Sequence, residues 1–210
     1  MKRYKYPRTF HLPWSPGVSS DDKVLKDLSV FENKIINSSL KMDGESSTLY
    51  RDYYHARSVD SKDHWSRHWL KSFHASIKHA IPEGWRVCGE NMFATHSIEY
   101  RNLKSYFYVF SVWTNENMCL SLEDTRKFCE NTFVMVPELY TGVFDKCLLD
   151  KSFQERKNDI SDVGEGYVVR NVDSFHYDNF GLNVAKFVRA GHVQTDQHWM
   201  FSNKGVNKLL

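Results

Sequence analysis

One strongly periodic helix in a chain otherwise written as short β-rich runs is the feature that most restricts the fold. Trp65, Trp69, Leu70, Phe73, Ile77 and Ile81 recur at helical spacing on one face, and Pro82-Glu83-Gly84 ends the pattern. Ser121, with Asp124 three residues on, predicts a second helix start of the capping-box kind, and a third helix is expected from Phe144 to about Lys157. Around them lie runs rich in β-branched and aromatic residues: Leu49 to Ser58, Trp85 to Phe93, Tyr106 to Trp113, Phe133 to Val136, Tyr167 to Val172 and Val184 to Val193. This mixture predicts an α+β protein with mainly antiparallel sheets.

The chain has 210 residues, enough for one substantial core, and its 41% hydrophobic and 26% charged composition carries no disordered or low-complexity bias. A single domain over residues 1–210 is the expectation. No run approaches the ~18 apolar residues of a membrane span, and Met1-Lys2-Arg3-Tyr4-Lys5-Tyr6 lacks the apolar stretch of a signal peptide, which predicts a cytoplasmic protein without a membrane partner. The four cysteines show neither Cys-x-x-Cys pairs nor zinc-like spacing and read as reduced thiols. A net charge of +2 excludes nucleic-acid binding by bulk electrostatics alone. Lys2, Arg3, Lys5 and Arg8, interleaved with Tyr4 and Tyr6, suit a nucleic-acid strand or, equally, a frayed basic terminus. His64 and His68, with His192 and His198 further on, invite a metal reading, but the helical pair lacks a zinc protease's intervening glutamate and solvated or nucleic-acid-facing histidines are favoured.

The chemistry concentrates at Leu40-Lys41-Met42-Asp43-Gly44-Glu45-Ser46-Ser47, where a lysine stands before a tight Asp-Gly turn. A nucleophilic lysine must be neutral, which needs a low-dielectric pocket or neighbouring cations. Lys-x-Asp-Gly alone is weak and reads as a solvated hairpin. It gains meaning from an ordered set of residues C-terminal to it: Arg57, Gly89-Glu90, Tyr106 to Phe110, Glu165-Gly166-Tyr167-Val168-Val169-Arg170, and Lys186-Phe187-Val188-Arg189.

With these motifs the chain resembles the covalent nucleotidyltransferases, the superfamily of ATP-dependent DNA and RNA ligases and messenger-RNA capping enzymes, and most closely their RNA ligase 2-like group. The resemblance runs from about residue 38 to 193. It implies the ligase adenylation fold, with antiparallel sheets flanked by helices. Gln194 to Leu210 are too few for an appended oligonucleotide-binding barrel.

The resemblance also implies an activity: ATP-dependent RNA ligation, joining a 5′-phosphate to a 3′-hydroxyl through a lysyl-AMP on Lys41. ATP and magnesium or manganese would be the cofactors, and RNA ends or a nicked duplex containing RNA the substrate, with a repair partner protein conceivable. An ATP-dependent DNA nick ligase and a non-ligating nucleotide-binding subunit of a repair complex are the alternatives. By position, Lys186 neutralises phosphate charge and, as a nearby cation, would disfavour protonation of Lys41. Asp43, Arg57, Glu90, Phe110 and Arg189 are implied at the nucleotide, with Glu90 against the ribose and Phe110 stacked on adenine, and Glu165 at the metal. Arg51 rivals Arg57, and Arg170 is a further phosphate candidate. The chain departs from the pattern at Ser111, where an aspartate is usual, and at Val188, where a second lysine is usual. Ser46, a position commonly asparagine in the RNA group and arginine in DNA ligases, weakly favours RNA.

Overall fold

The computed structural model describes residues 2–156, 160–161, 163–191 and 205–210. The strands are β1 (Phe10–His11), β2 (Ile35–Lys41), β3 (Glu45–Tyr50), β4 (Tyr54–His55), β5 (Arg86–Asn91) and β6 (Phe107–Trp113). They continue as β7 (Met118–Cys119), β8 (Val134–Met135), β9 (Glu138–Val143), β10 (Gly166–Asn171), β11 (Phe175–His176) and β12 (Val184–Val188). The α-helices are α1 (His68–Ile77), α2 (Leu122–Cys129) and α3 (Lys146–Gln154).

Two sheets form. The first runs β1-β12-β10-β2-β9 and the second β11-β7-β6-β5-β3-β4, with β8 beside β6. Among the described strands, β1 against β12 and β8 against β6 pair in parallel and the other ladders are antiparallel.

The periodic segment at 65–81 folds as expected, with 3-10 turns at Trp65–Arg67 and Lys78–Ala80 flanking α1. Leu70 faces a core with Leu49, Val87, Phe107 and Val109 on one side of the second sheet, while Trp65 at the helix entrance stays exposed. Ser121 caps α2 by accepting the Asp124 N–H at 3.1 Å. Asp145 caps α3 through the Leu148 N–H at 2.9 Å, so that helix starts at Lys146 rather than Phe144. On its side of the first sheet, Leu149 of α3 packs with Ile36, Tyr167 and Val169.

Besides the two-residue strands β1, β7 and β11, two longer ones escape a reading by periodicity, β2 and β9. The interior of β2 is polar (Asn37-Ser38-Ser39) yet buried, because Asn37 donates to Glu138 at 3.0 Å and to Thr141 at 2.9 Å on β9. A strand whose buried groups are satisfied by its neighbour shows no hydrophobic alternation.

Two further clusters join the sheets. Cys88, Trp113, Cys119, Phe175, Phe180 and Val184 close one end, and Leu40, Met42, Met92, Tyr100, Tyr108 and Val136 the other. Between them lies a cleft.

Candidate active site

Strand pairing alone brings the two lysines together. Lys41 lies opposite Gly166, and Ser39 lies opposite Val168, which in turn faces Lys186. Side chains two apart on a strand share a face, so Lys41, Ser39, Val168 and Lys186 all look into the cleft, whose volume is about 630 Å³. Tyr167 and Phe187 take the opposite face, where their rings stack at 4.7 Å. Gly166 is demanded by close approach: a Cβ there would run into the Phe187 carbonyl and stand 3.0 Å from Val188 Cα. Glu165 thereby sits at the strand entrance, 5% exposed, with Oε2 accepting from Lys41 Nζ at 2.7 Å.

The second sheet supplies the opposite wall. Glu90 on β5 and Phe110 on β6 line the cleft, and Glu90 Oε1 accepts the Gly44 N–H at 3.2 Å. Gly44 also needs its missing side chain, since a Cβ would meet Asn91 O at 2.6 Å and Met92 Sδ at 2.7 Å. The start of β3 is braced by a buried bidentate pair, Glu45 with Arg67, which no motif in the sequence singles out.

The electrostatics differ from the sequence expectation. Burial pulls the Lys41 ammonium towards deprotonation, but Glu165, Glu90 and Asp43 together outweigh it and hold its pKa above the ordinary lysine value. Lys186 is the lysine pushed downward, by burial and by Lys41, against Asp22. Glu165, rather than Lys186, is therefore the charge that governs Lys41. Burial, with Glu165 and Asp43, raises the Glu90 carboxyl to about 8 against the pull of Lys41, so it carries a proton at neutral pH.

Asp22, unremarkable in the sequence, is the counter-ion of Lys186 at 3.3 Å and also meets His11 Nε2 at 3.2 Å. Although burial raises it, hydrogen bonds from Ser19 and the Lys186 charge hold its pKa well below the usual carboxylate range. Its signal is tertiary: β1 lies parallel to β12 with His11 opposite Lys186, and no spacing in the sequence reveals that pairing.

Of the other sequence candidates, Arg57 lines the cleft and is exposed. Arg170 reaches its wall but is tied to the Leu120 carbonyl at 2.8 Å and the Asn171 carbonyl at 3.1 Å. Ser46 and Ser111 line it too, whereas Arg51 does not. Asp43 and Arg189 are not brought to the cleft. The Asp43 carboxylate accepts the backbone N–H groups of Ser97 at 2.7 Å and Ile98 at 2.8 Å, and Arg189 Nε donates to the Gly164 carbonyl at 2.7 Å. Val188 shares a face with Lys186 but lies under the Ser15–Gly17 loop, 2% exposed, its N–H donated to Ser15 Oγ at 2.9 Å.

The basic N-terminus is docked rather than frayed. Arg3 pairs with Asp52 at 2.7 Å and lies over the rings of Tyr50 and Tyr53, and the Tyr4 N–H donates to Tyr50 Oη at 2.8 Å. Among the described residues no group of three or more His, Cys, Asp or Glu side chains could hold a metal by itself; His192 and His198 lie outside those residues.

A family model described as RNA ligase matches residues 38–188. No curated protein matches the chain by sequence. Among solved structures, an apo variant of the Naegleria gruberi RNA ligase aligns with TM-score 0.56 at 17% identity, covering 77% of this chain and 51% of that one. Another variant of that ligase, with ATP and Mn, gives 0.56 at 16% identity over the same shares, and the ligase with PPi gives 0.54 at 16%, over 77% and 52%. The chain thus spans about half the length of the chains it matches, and at these identities the likeness establishes a common fold.

Proposed function

The chain belongs to the RNA ligase family, and from that premise we propose that it joins RNA ends at the expense of ATP, through AMP carried on Lys41. The observation that carries the reading is the meeting of Lys41 and Lys186 on one face of the first sheet, across from Glu90 and Phe110 of the second.

In the first step Lys41 Nζ, having lost its proton to solvent, attacks the α-phosphorus of ATP. A P–N bond forms, the P–O bond to the β-phosphate breaks, and pyrophosphate leaves with the electron pair. Such transfer rests on positioning and charge neutralisation more than on covalent help. Lys186, released from Asp22, meets the phosphate oxygens. The protonated Glu90 carboxyl is a donor suited to a ribose oxygen, and Phe110 offers an aromatic face to the base. Arg57, exposed at the cleft, is available to the phosphates or to the incoming strand. Asp43 and Arg189 act at one remove, by fixing the turn after Lys41 and the backbone before Glu165.

Glu165 can release Lys41 as a neutral amine only if another cation takes its buried carboxylate, which is the physical reason a divalent ion fits there. Magnesium or manganese held by few carboxylates together with phosphate oxygens suits this donor set and would neutralise charge on the phosphates. Manganese is also the metal named with ATP for a Naegleria ligase variant.

AMP then passes to a 5′-phosphate: a phosphate oxygen attacks the adenylyl phosphorus and the P–N bond breaks. Finally a 3′-hydroxyl oxygen attacks the 5′-phosphorus, expelling AMP and sealing the strand. RNA repair, alone or with a partner protein, and a cytoplasmic setting are the context this chemistry suits. No described helix is long and apolar enough to cross a membrane.

The test is incubation with α-labelled ATP and magnesium before a denaturing gel. Wild type should retain label and Lys41→Ala should not; labelling that persists in Lys41→Ala overturns the assignment. Nicked duplexes with RNA or DNA on the 3′-hydroxyl side test the substrate, and equal sealing of all-DNA nicks would count against RNA.

A further inference from the structure

The deep end of the cleft is closed by a side chain from far outside the motif set. Tyr6 lies in the N-terminal segment, which is anchored on both sides of it: the Tyr4 N–H donates to Tyr50 Oη at 2.8 Å, Tyr177 Oη donates to the Lys5 carbonyl at 2.7 Å, and Arg8 reaches the Asp21 carbonyl. The Tyr6 ring stands edge-to-face with Phe110 at 4.9 Å and 64°, and with Phe180 at 5.2 Å and 82°. Its hydroxyl pairs with Ser111 and feels Cys88, Cys119 and Arg170 electrostatically, and burial raises its pKa far above that of a free phenol. Tyr6, Phe110, Ser111 and Cys119 all line the cleft.

The two lysines set the direction in which a nucleotide must lie. With the phosphates at Lys41 and Lys186 and the base against Phe110, the ribose lies between the base and the lysines. The purine edge farthest from the glycosidic bond, which bears the exocyclic amine of adenine, then points away from them to the end that Tyr6 closes. We propose that Tyr6 is the end wall of the base pocket and limits the size of the group that the purine may carry on that edge. This rests on the reading of the cleft as the nucleotide site. A pocket bounded by a packed aromatic ring rejects added bulk because neither the ring nor its neighbours can yield without losing their own contacts. The segment's anchors make the wall rigid rather than a displaceable flap: the ring can leave only if the contacts of Arg3, Tyr4 and Lys5 are also given up.

The experiment compares ATP with N6-benzyl-ATP in the self-labelling reaction, for wild type, Tyr6→Phe, Tyr6→Leu and Tyr6→Ala, with circular dichroism to confirm each fold. Wild type and Tyr6→Phe should label with ATP and reject the benzyl analogue. In Tyr6→Ala the benzyl group should occupy the vacated space, lowering the KM ratio of analogue to ATP by about tenfold or more, the scale of discrimination a pocket wall provides. Tyr6→Leu should move the ratio the same way by less, and it serves as the test if Tyr6→Ala does not fold. A purely structural tyrosine would alter both nucleotides together, so an unchanged ratio in folded Tyr6→Ala or Tyr6→Leu overturns the proposal. Equal use of both nucleotides by wild type overturns it as well. Absence of any adduct between wild type and ATP overturns instead the reading of the cleft, and this proposal with it.

Discussion

Replacing Glu165 by glutamine removes the charge that faces Lys41 while keeping the shape of the side chain. At the observed 2.7 Å, unit charges attract by about 1.5 kcal/mol in water and about 6 kcal/mol at an effective dielectric of about 20. The Glu165 side chain is 7% exposed and that of Lys41 26%, which puts the pair between these limits. Removing one partner of a fully enclosed pair costs ~3–5 kcal/mol. Here Asp43 remains near the ammonium, and solvent reaches it, so a loss of roughly 2 kcal/mol is expected. For a chain of this length that corresponds to a Tm lower by about 4–8 °C. The assay is urea unfolding of wild type, Glu165→Gln, Lys41→Met and the double variant at pH 7 in chelator, combined as a double-mutant cycle. A coupling energy of about 2 kcal/mol is expected; one below about 0.5 kcal/mol, the range in which independent sites add, would refute the claim that these groups hold each other.

Two further outcomes concern the strands around the same pair. Gly166→Ala should cost more than about 3 kcal/mol, because the new Cβ meets backbone of β12 that cannot rotate away, and it should abolish self-labelling by displacing Lys186 from Lys41; a Tm within about 2 °C of wild type would contradict it. Glu90, with a carboxyl raised from 4.5 to about 8 in the fold, binds its proton more tightly folded than unfolded. Its contribution to stability is therefore complete below pH ~4.5 and fades as pH rises through about 8. Against Glu90→Gln, wild type should lose on the order of 2 kcal/mol over that window, about half the full linkage value because the side chain is incompletely enclosed. Parallel stability curves for the two proteins from pH 5 to 8 would show that the carboxyl is not perturbed.

Which candidate residues the fold would gather into one cleft was partly legible in the chain itself, for reasons that particular residues make plain. Lys41, Glu90, Phe110 and Lys186 each lie in a short strand, and a strand delivers its side chain to one face by simple alternation, whereas Glu165 stands just before β10 in phase with Tyr167 of the other face, and only the fold turns it to Lys41. Arg189 misses the cleft because it lies past the end of β12, where its guanidinium is tied to the Gly164 carbonyl. Asp43 was not legible as a turn support, because the N–H groups it accepts belong to residues 97 and 98. β2 and β9 were hidden because Asn37, in the polar interior of β2, finds Glu138 and Thr141 only across the ladder.

By itself, the sequence determined the order and type of the chemical groups, the strongly periodic helix and the α+β class, all of which rest on local periodicity and on motif content. Tertiary structure decided their electrostatic states and their boundaries. Charge interactions and close packing act through space across sheets that meet only in the fold. So it is the assembled cleft that pairs Lys41 with Glu165, gives Lys186 its counter-ion Asp22, covers Val188 with the Ser15–Gly17 loop, and brings Tyr6 to the far end.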